Sequence, residues 1–137
     1  MRISQLLFTN VMKTFIFAFC ASLQTVWAQP NFGLIAQALK QANLTALATY
    51  WDEQVELTIA ETDEFYPPVQ ATEQLALFFK QNRPTDCQVV HSGTARDKSS
   101  HYFISTLLAG GRKFRVYVLF KQKSEKYCIQ EMRIEAD

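Results

Sequence analysis

The chain has 137 residues, of which 48% are apolar and 13% aromatic, eleven of the aromatics being Phe, and it carries fourteen basic against thirteen acidic side chains. That length holds one compact core rather than two, and the apolar content excludes a disordered chain. Charges of both signs are scattered, which excludes the basic footprint of a nucleic-acid-binding protein.

In chain order, the first 28 residues read as a cleavable export signal. Lys13 supplies the positive region, Thr14 to Leu23 the apolar run, and Val26-Trp27-Ala28 a small-residue cleavage site ahead of Gln29. A start at Met12 gives the same processed chain. The apolar run is about half of the roughly 20 residues that span a bilayer, so a retained anchor is not expected. The bulky Phe19 before Cys20 argues against a lipidated cysteine. The expected product is a periplasmic or secreted domain of residues 29–137, with no membrane attachment after cleavage and twelve basic against thirteen acidic groups.

Asn31 is placed to cap a helix whose apolar positions Leu34, Ile35, Ala38, Leu39 and Ala42 follow the helical period up to Asn43. Thr45 is placed to cap a short second helix, with Leu47, Tyr50 and Trp51 as its buried anchors. Val55 to Ile59 alternates like a half-buried strand, turned by Glu61-Thr62-Asp63-Glu64 into a short return strand at Phe65-Tyr66. Pro67-Pro68 suits a helix start, and Val69, Thr72, Leu75, Ala76 and Phe79, widened by Leu77 and Phe78, form one face of a helix ending at Gln81.

The period then changes to two. Strands are predicted over Asp86–His91, His101–Ala109, Lys113–Lys121 and Lys126–Glu135, an antiparallel meander turned at Gly93–Ser100, Gly110-Gly111 and Gln122–Glu125. Three helices followed or interrupted by six strands make an α+β layout. Phe114, Val116, Val118 and Phe120 are expected to share the buried face with Cys128, Met132 and Ile134. A two-residue turn at Gly110-Gly111 would add Phe103, Ser105 and Leu107 to that face; a three-residue turn would add Tyr102, Ile104, Thr106 and Leu108. The choice also decides whether His101 or Tyr102 points inward.

The opposite face carries Arg115, Tyr117 and Leu119 beside Tyr127, Ile129, Glu131 and Arg133, a mixture more typical of a contact surface than of a wetted sheet. Arg115, Leu119, Ile129, Glu131 and Arg133 are therefore the residues expected to pair two copies of the chain. Arg112, Lys113, Arg115, Lys121, Lys123 and Lys126 read as solvated hairpin ends. Cys87 and Cys128 would be the only thiols left after signal removal; nothing places their strands side by side, so two buried thiols are expected over a bridge.

The element order, together with Tyr66-Pro-Pro-Val-Gln70-Ala71, Leu75 to Phe79, His91-Ser-Gly93, Lys113-Phe-Arg115-Val-Tyr117-Val, Ile129-Gln130 and Arg133-Ile134-Glu135, resembles the nuclear-transport-factor-2-like superfamily. Within it, the chain resembles the exported Bacteroidetes family known as domain of unknown function 4783. The resemblance implies a cone-like curved antiparallel sheet wrapped on three helices, the cystatin-like roll, and assigns no reaction.

Folds of this superfamily often hold a pocket between sheet and helices, which makes Tyr50, Tyr66, Gln70, His91, Tyr102 and Tyr117 the candidates for contact with a small apolar ligand or a partner protein. An isomerase or lyase using His91 or His101 with these tyrosines is the alternative. It fits poorly, because the acidic residues cluster at predicted turns and helix ends, away from either His. No C-x-x-C or H-x-x-x-H spacing organises a metal, no Gly-x-Ser-x-Gly elbow carries a nucleophile, and no glycine-rich loop cradles phosphate, so neither metal nor cofactor is expected. The expected function is that of a non-enzymatic binding module that dimerises through its sheet.

Overall fold

The computed structural model describes residues 29–137, and the signal segment read above lies outside the described residues. Helix α1 (Phe32–Lys40) and helix α2 (Leu44–Ala48) lead into strands β1 (Trp51–Ile59) and β2 (Thr62–Tyr66). Helix α3 (Pro68–Gln81) follows, and then β3 (Pro84–Thr94), β4 (Ser100–Ala109), β5 (Arg112–Lys123) and β6 (Lys126–Ala136). One six-stranded sheet has the order β2-β1-β6-β5-β4-β3. The meander and the β1–β2 hairpin are antiparallel, but β1 runs parallel to β6, so the sheet is mixed. Register shifts in β3, between β5 and β6, and between β1 and β6 are the bulges that strengthen twist and bend the sheet around the helices.

Local chemistry accounts for the helices. Asn31 accepts a hydrogen bond from the Leu34 N–H and starts α1. Ala42 takes a left-handed φ of 50°, and the Asn43 N–H returns to the Ala38 carbonyl, a Schellman stop. Asn43 then caps α2 by accepting from the Ala46 N–H at 3.1 Å, so α2 starts at Leu44 and is capped by Asn43 rather than Thr45. Trp51 belongs to β1 rather than to α2; its indole N–H donates to the Thr72 hydroxyl at 3.0 Å and ties β1 to α3. On α3 the buried stripe is Ala71, Leu75, Phe78 and Phe79, spaced i, i+4, i+7 and i+8. Val69 and Leu77 fall outside that stripe and are exposed.

The turn at Gly110-Gly111 is the two-residue form, since Ala109 pairs with Arg112 and both glycines have positive φ, 59° and 72°. His101, Phe103, Ser105, Leu107 and Ala109 therefore face inward and are all buried, opposite Phe120, Val118, Val116 and Phe114. The deep part of the cone is filled: the Phe32 ring lies 5.3 Å from Phe103 and 5.7 Å from Phe120, centroid to centroid.

One sequence expectation is overturned on β6. Leu119 pairs with Glu131 but Phe120 pairs with Ile129, so Gln130 is an extra residue in β6. Because side chains alternate with period two, one inserted residue exchanges the faces on either side of it. Ile129, expected on the outer face, is fully buried in the core, while Cys128, expected in the core, pairs with Lys121 on the other side and is half-buried.

Candidate functional site

The six ligand candidates do not converge on one pocket. Tyr50 lines a groove of about 240 Å³ between α1 and α2, with Gln37 and Asn43 among its neighbours. Tyr66 lines a groove of about 190 Å³ between the β1–β2 hairpin and α3, over Leu57 and Phe78. Burial and then the neighbouring Glu64 push its hydroxyl up from the usual range. Gln70 is exposed on α3.

His91, Tyr102 and Tyr117 instead meet on the outer face of the sheet. His91 Nε2 and the Tyr102 hydroxyl share a hydrogen bond at 3.1 Å, and the Tyr102 and Tyr117 rings lie 5.9 Å apart. Gly93 makes this row possible. It pairs with Tyr102, and a Cβ there would sit 2.7 Å from the Tyr102 hydroxyl oxygen, so the ring crosses β3 over this glycine and a side chain there would push it aside.

The row continues into charged neighbours through the β5–β6 register, which sets Arg115 opposite Glu135, Tyr117 opposite Arg133 and Leu119 opposite Glu131. Arg115, Tyr117, Glu131, Arg133 and Glu135 line a shallow groove of about 380 Å³. Arg133 donates to Glu131 within this groove. Burial, followed by the charge of Glu131, pushes the Tyr117 hydroxyl up. Of the five residues expected to pair two copies, Arg115, Leu119, Glu131 and Arg133 lie on this face and Ile129 does not.

The largest of these openings, about 670 Å³, lies at the end of the sheet beside the β3–β4 turn, and His101, Gln122 and Tyr127 are among the residues lining it. His101 is only 8% exposed; its Nδ1 bonds the Thr94 hydroxyl at 3.2 Å and its ring stands edge-on to Tyr127 at 5.3 Å. From the sequence, His101 is offered only in the enzymatic alternative and Tyr127 is set on the outer face, whereas the structure brings the two together. The inward parity of His101 follows from the two-residue glycine turn, but that of Tyr127 depends on the bulge at Gln130, which has no sequence marker.

Neither imidazole bonds a carboxylate: His91 meets Tyr102 and His101 meets Thr94. Among the described residues no group of three His, Cys, Asp or Glu side chains is arranged to hold a metal. The hairpin-end cations are dispersed, with Arg112 over the Phe114 ring at 5.2 Å and Lys123 bonded to Asp52 at 2.6 Å.

No curated protein matches the chain. The family model described as Domain of unknown function (DUF4783) matches residues 32–135. The crystal structure of a DUF4783 family protein from Bacteroides ovatus ATCC 8483 is similar at 27% identity and a TM-score of 0.70, over 75% of this chain and 92% of that one. Another, from Bacteroides fragilis YCH46, is similar at 30% identity and a TM-score of 0.69, over 75% and 95%. An NTF2-like family protein from Streptomyces avermitilis, at 11% identity and a TM-score of 0.57 over 77% and 93%, is similar in fold alone. This chain, with its three helices against a curved, unclosed sheet, belongs to the DUF4783 family and has the nuclear-transport-factor-2-like fold.

Proposed function

We propose that this protein is an exported, non-catalytic binding module that pairs with a second copy through the outer face of its sheet. The observation that carries the pairing is the composition of that face. Tyr102, Ile104, Tyr117 and Leu119 are half-buried rather than fully solvated, and Arg115 and Arg133 alternate with Glu131 and Glu135 across β5 and β6. A two-fold interface brings one patch against itself, so it needs both signs of charge around an apolar and aromatic centre. The bonding of both imidazoles to hydroxyls supports the non-catalytic part, because proton transfer needs a base tuned by a neighbour and set against a substrate.

Sedimentation velocity on the processed protein tests the pairing. A concentration-dependent dimer is expected, and Tyr117→Glu weakens it at least about tenfold by placing a carboxylate in the aromatic centre. A monomer throughout the accessible concentration range would sink the proposal. Mass spectrometry of the protein recovered outside the cytoplasm tests export, with an N-terminus at Gln29 as the expected result.

A further inference from the structure

We propose that the opening beside the β3–β4 turn is a binding site for a small amphiphilic acid, a molecule with one anionic head on an aromatic or short aliphatic body. The volume of about 670 Å³ lies within the range of about 300 to 1,000 Å³ usual for small-molecule sites. Phe32 packs on Phe103 and Phe120, the latter the cross-strand partner of His101.

Beside the neutral Gln29, Thr94 and Gln122, the groove's lining carries two cations and no carboxylate. Arg96 and Lys98 line the groove from the β3–β4 turn, and neither forms an ion pair among the described residues. The acid between them, Asp97, is engaged elsewhere: its carboxylate accepts from the Ser99 and Ser100 N–H groups at 3.0 and 3.1 Å and lies in the field of Lys121. These bonds make the turn an ordered platform for the two cations. His101 is more than nine-tenths buried and spends Nδ1 on Thr94. No buried side-chain nitrogen or oxygen among the described residues lacks a partner, so Nε2, which has none among them, is an atom that the groove reaches.

The remaining wall selects the body of the ligand. Tyr127 stands edge-on to His101, and Ala95 adds apolar surface beside it. An inorganic anion would satisfy the cations and leave that wall wet; a neutral apolar molecule would cover the wall and leave Arg96, Lys98 and His101 unanswered. Only a molecule with both parts answers both.

Amide chemical-shift titration of the processed protein with phenylbutyrate, its neutral amide and inorganic sulfate tests this site. Saturable shifts confined to Ala95, His101, Gln122 and Tyr127 are expected with phenylbutyrate, with the amide and sulfate at least about tenfold weaker. The double variant Arg96→Glu/Lys98→Glu, exposed and therefore harmless to folding, reduces phenylbutyrate affinity by at least the same factor. Equal binding of the amide would reduce the site to an apolar surface, equal binding of sulfate to a charge patch, and shifts elsewhere or none that saturate would remove it; each overturns the proposal. Tyr117→Glu, which separates the two copies under the reading above, leaves phenylbutyrate binding unchanged, so failure of the pairing and failure of this site are told apart.

Discussion

Asp52 is buried at the junction of β1 and β6, yet its carboxyl is held below the ordinary carboxylate range. Burial alone would raise it; three donors overcome that, with Lys123 at 2.6 Å, the Glu53 N–H at 2.8 Å and Gln130 at 3.3 Å. A depressed carboxylate contributes stability at pH values above its unfolded pKa of about 3.9, and that contribution fades as pH falls through the lower folded value. Lys123→Met leaves the buried charge with two donors and is expected to destabilise the fold at neutral pH, modestly because Lys123 is half-exposed. Urea denaturation at neutral and strongly acid pH checks this: the gap between variant and parent should narrow in acid, and a gap that does not change would disprove the assignment. Nothing local in the sequence marks the pair, since its members lie 71 positions apart and Asp52 reads as one acid among several near a turn.

The bulge at Gln130 decides the faces of β6. It buries Ile129, turns Cys128 away from the core and puts the Gln130 amide on Asp52. Deleting Gln130 would restore strict alternation, expel a fully buried isoleucine or force the strand to slip, and strip one donor from Asp52. A loss of about 2 to 4 kcal/mol is expected, of the order of other changes that vacate a buried aliphatic site. Denaturant midpoints at unchanged slope would measure it, and a stability within a few tenths of a kcal/mol of the parent would show that the register adapts without cost. Gly110-Gly111 acts at the same scale with a clearer sequence signature, because two positive φ values in a two-residue loop demand residues without a Cβ penalty. A glycine turn was legible there, though not its two-residue form; a bulge built on an ordinary glutamine was not.

Across the whole molecule, the strand order separates β3 from β6 by two intervening strands. Three inter-strand steps of about 4.8 Å separate the strands by about 14 Å, and the register sets Cys87 level with Ala136 rather than with Cys128, so the two thiols lie well beyond the roughly 7 Å that a disulfide spans. Both thiols are therefore expected to remain unbridged to each other even under oxidising conditions. Cys87 is buried, hydrogen-bonded to Ser105 at 3.4 Å, and pushed up by burial, so Cys128 should be alkylated first and Cys87 only as the domain opens. Mass spectrometry after timed iodoacetamide treatment reads both; a bridged product would contradict the sheet order itself.

The sequence by itself determined what local chemistry dictates. The Asn31 cap, the proline start of α3, the change from helical to twofold period after Gln81 and the glycine hairpin are each written in a few adjacent residues, and together they specified the α+β layout and the family. Tertiary structure decided what depends on residues distant along the chain. The parallel pairing of β1 with β6, the burial of Ile129, the outward Tyr102 and the meeting of His101 with Tyr127 all depend on register between strands. With a side-chain period of two, a single inserted residue reverses every face beyond it, and pattern alone does not locate that residue.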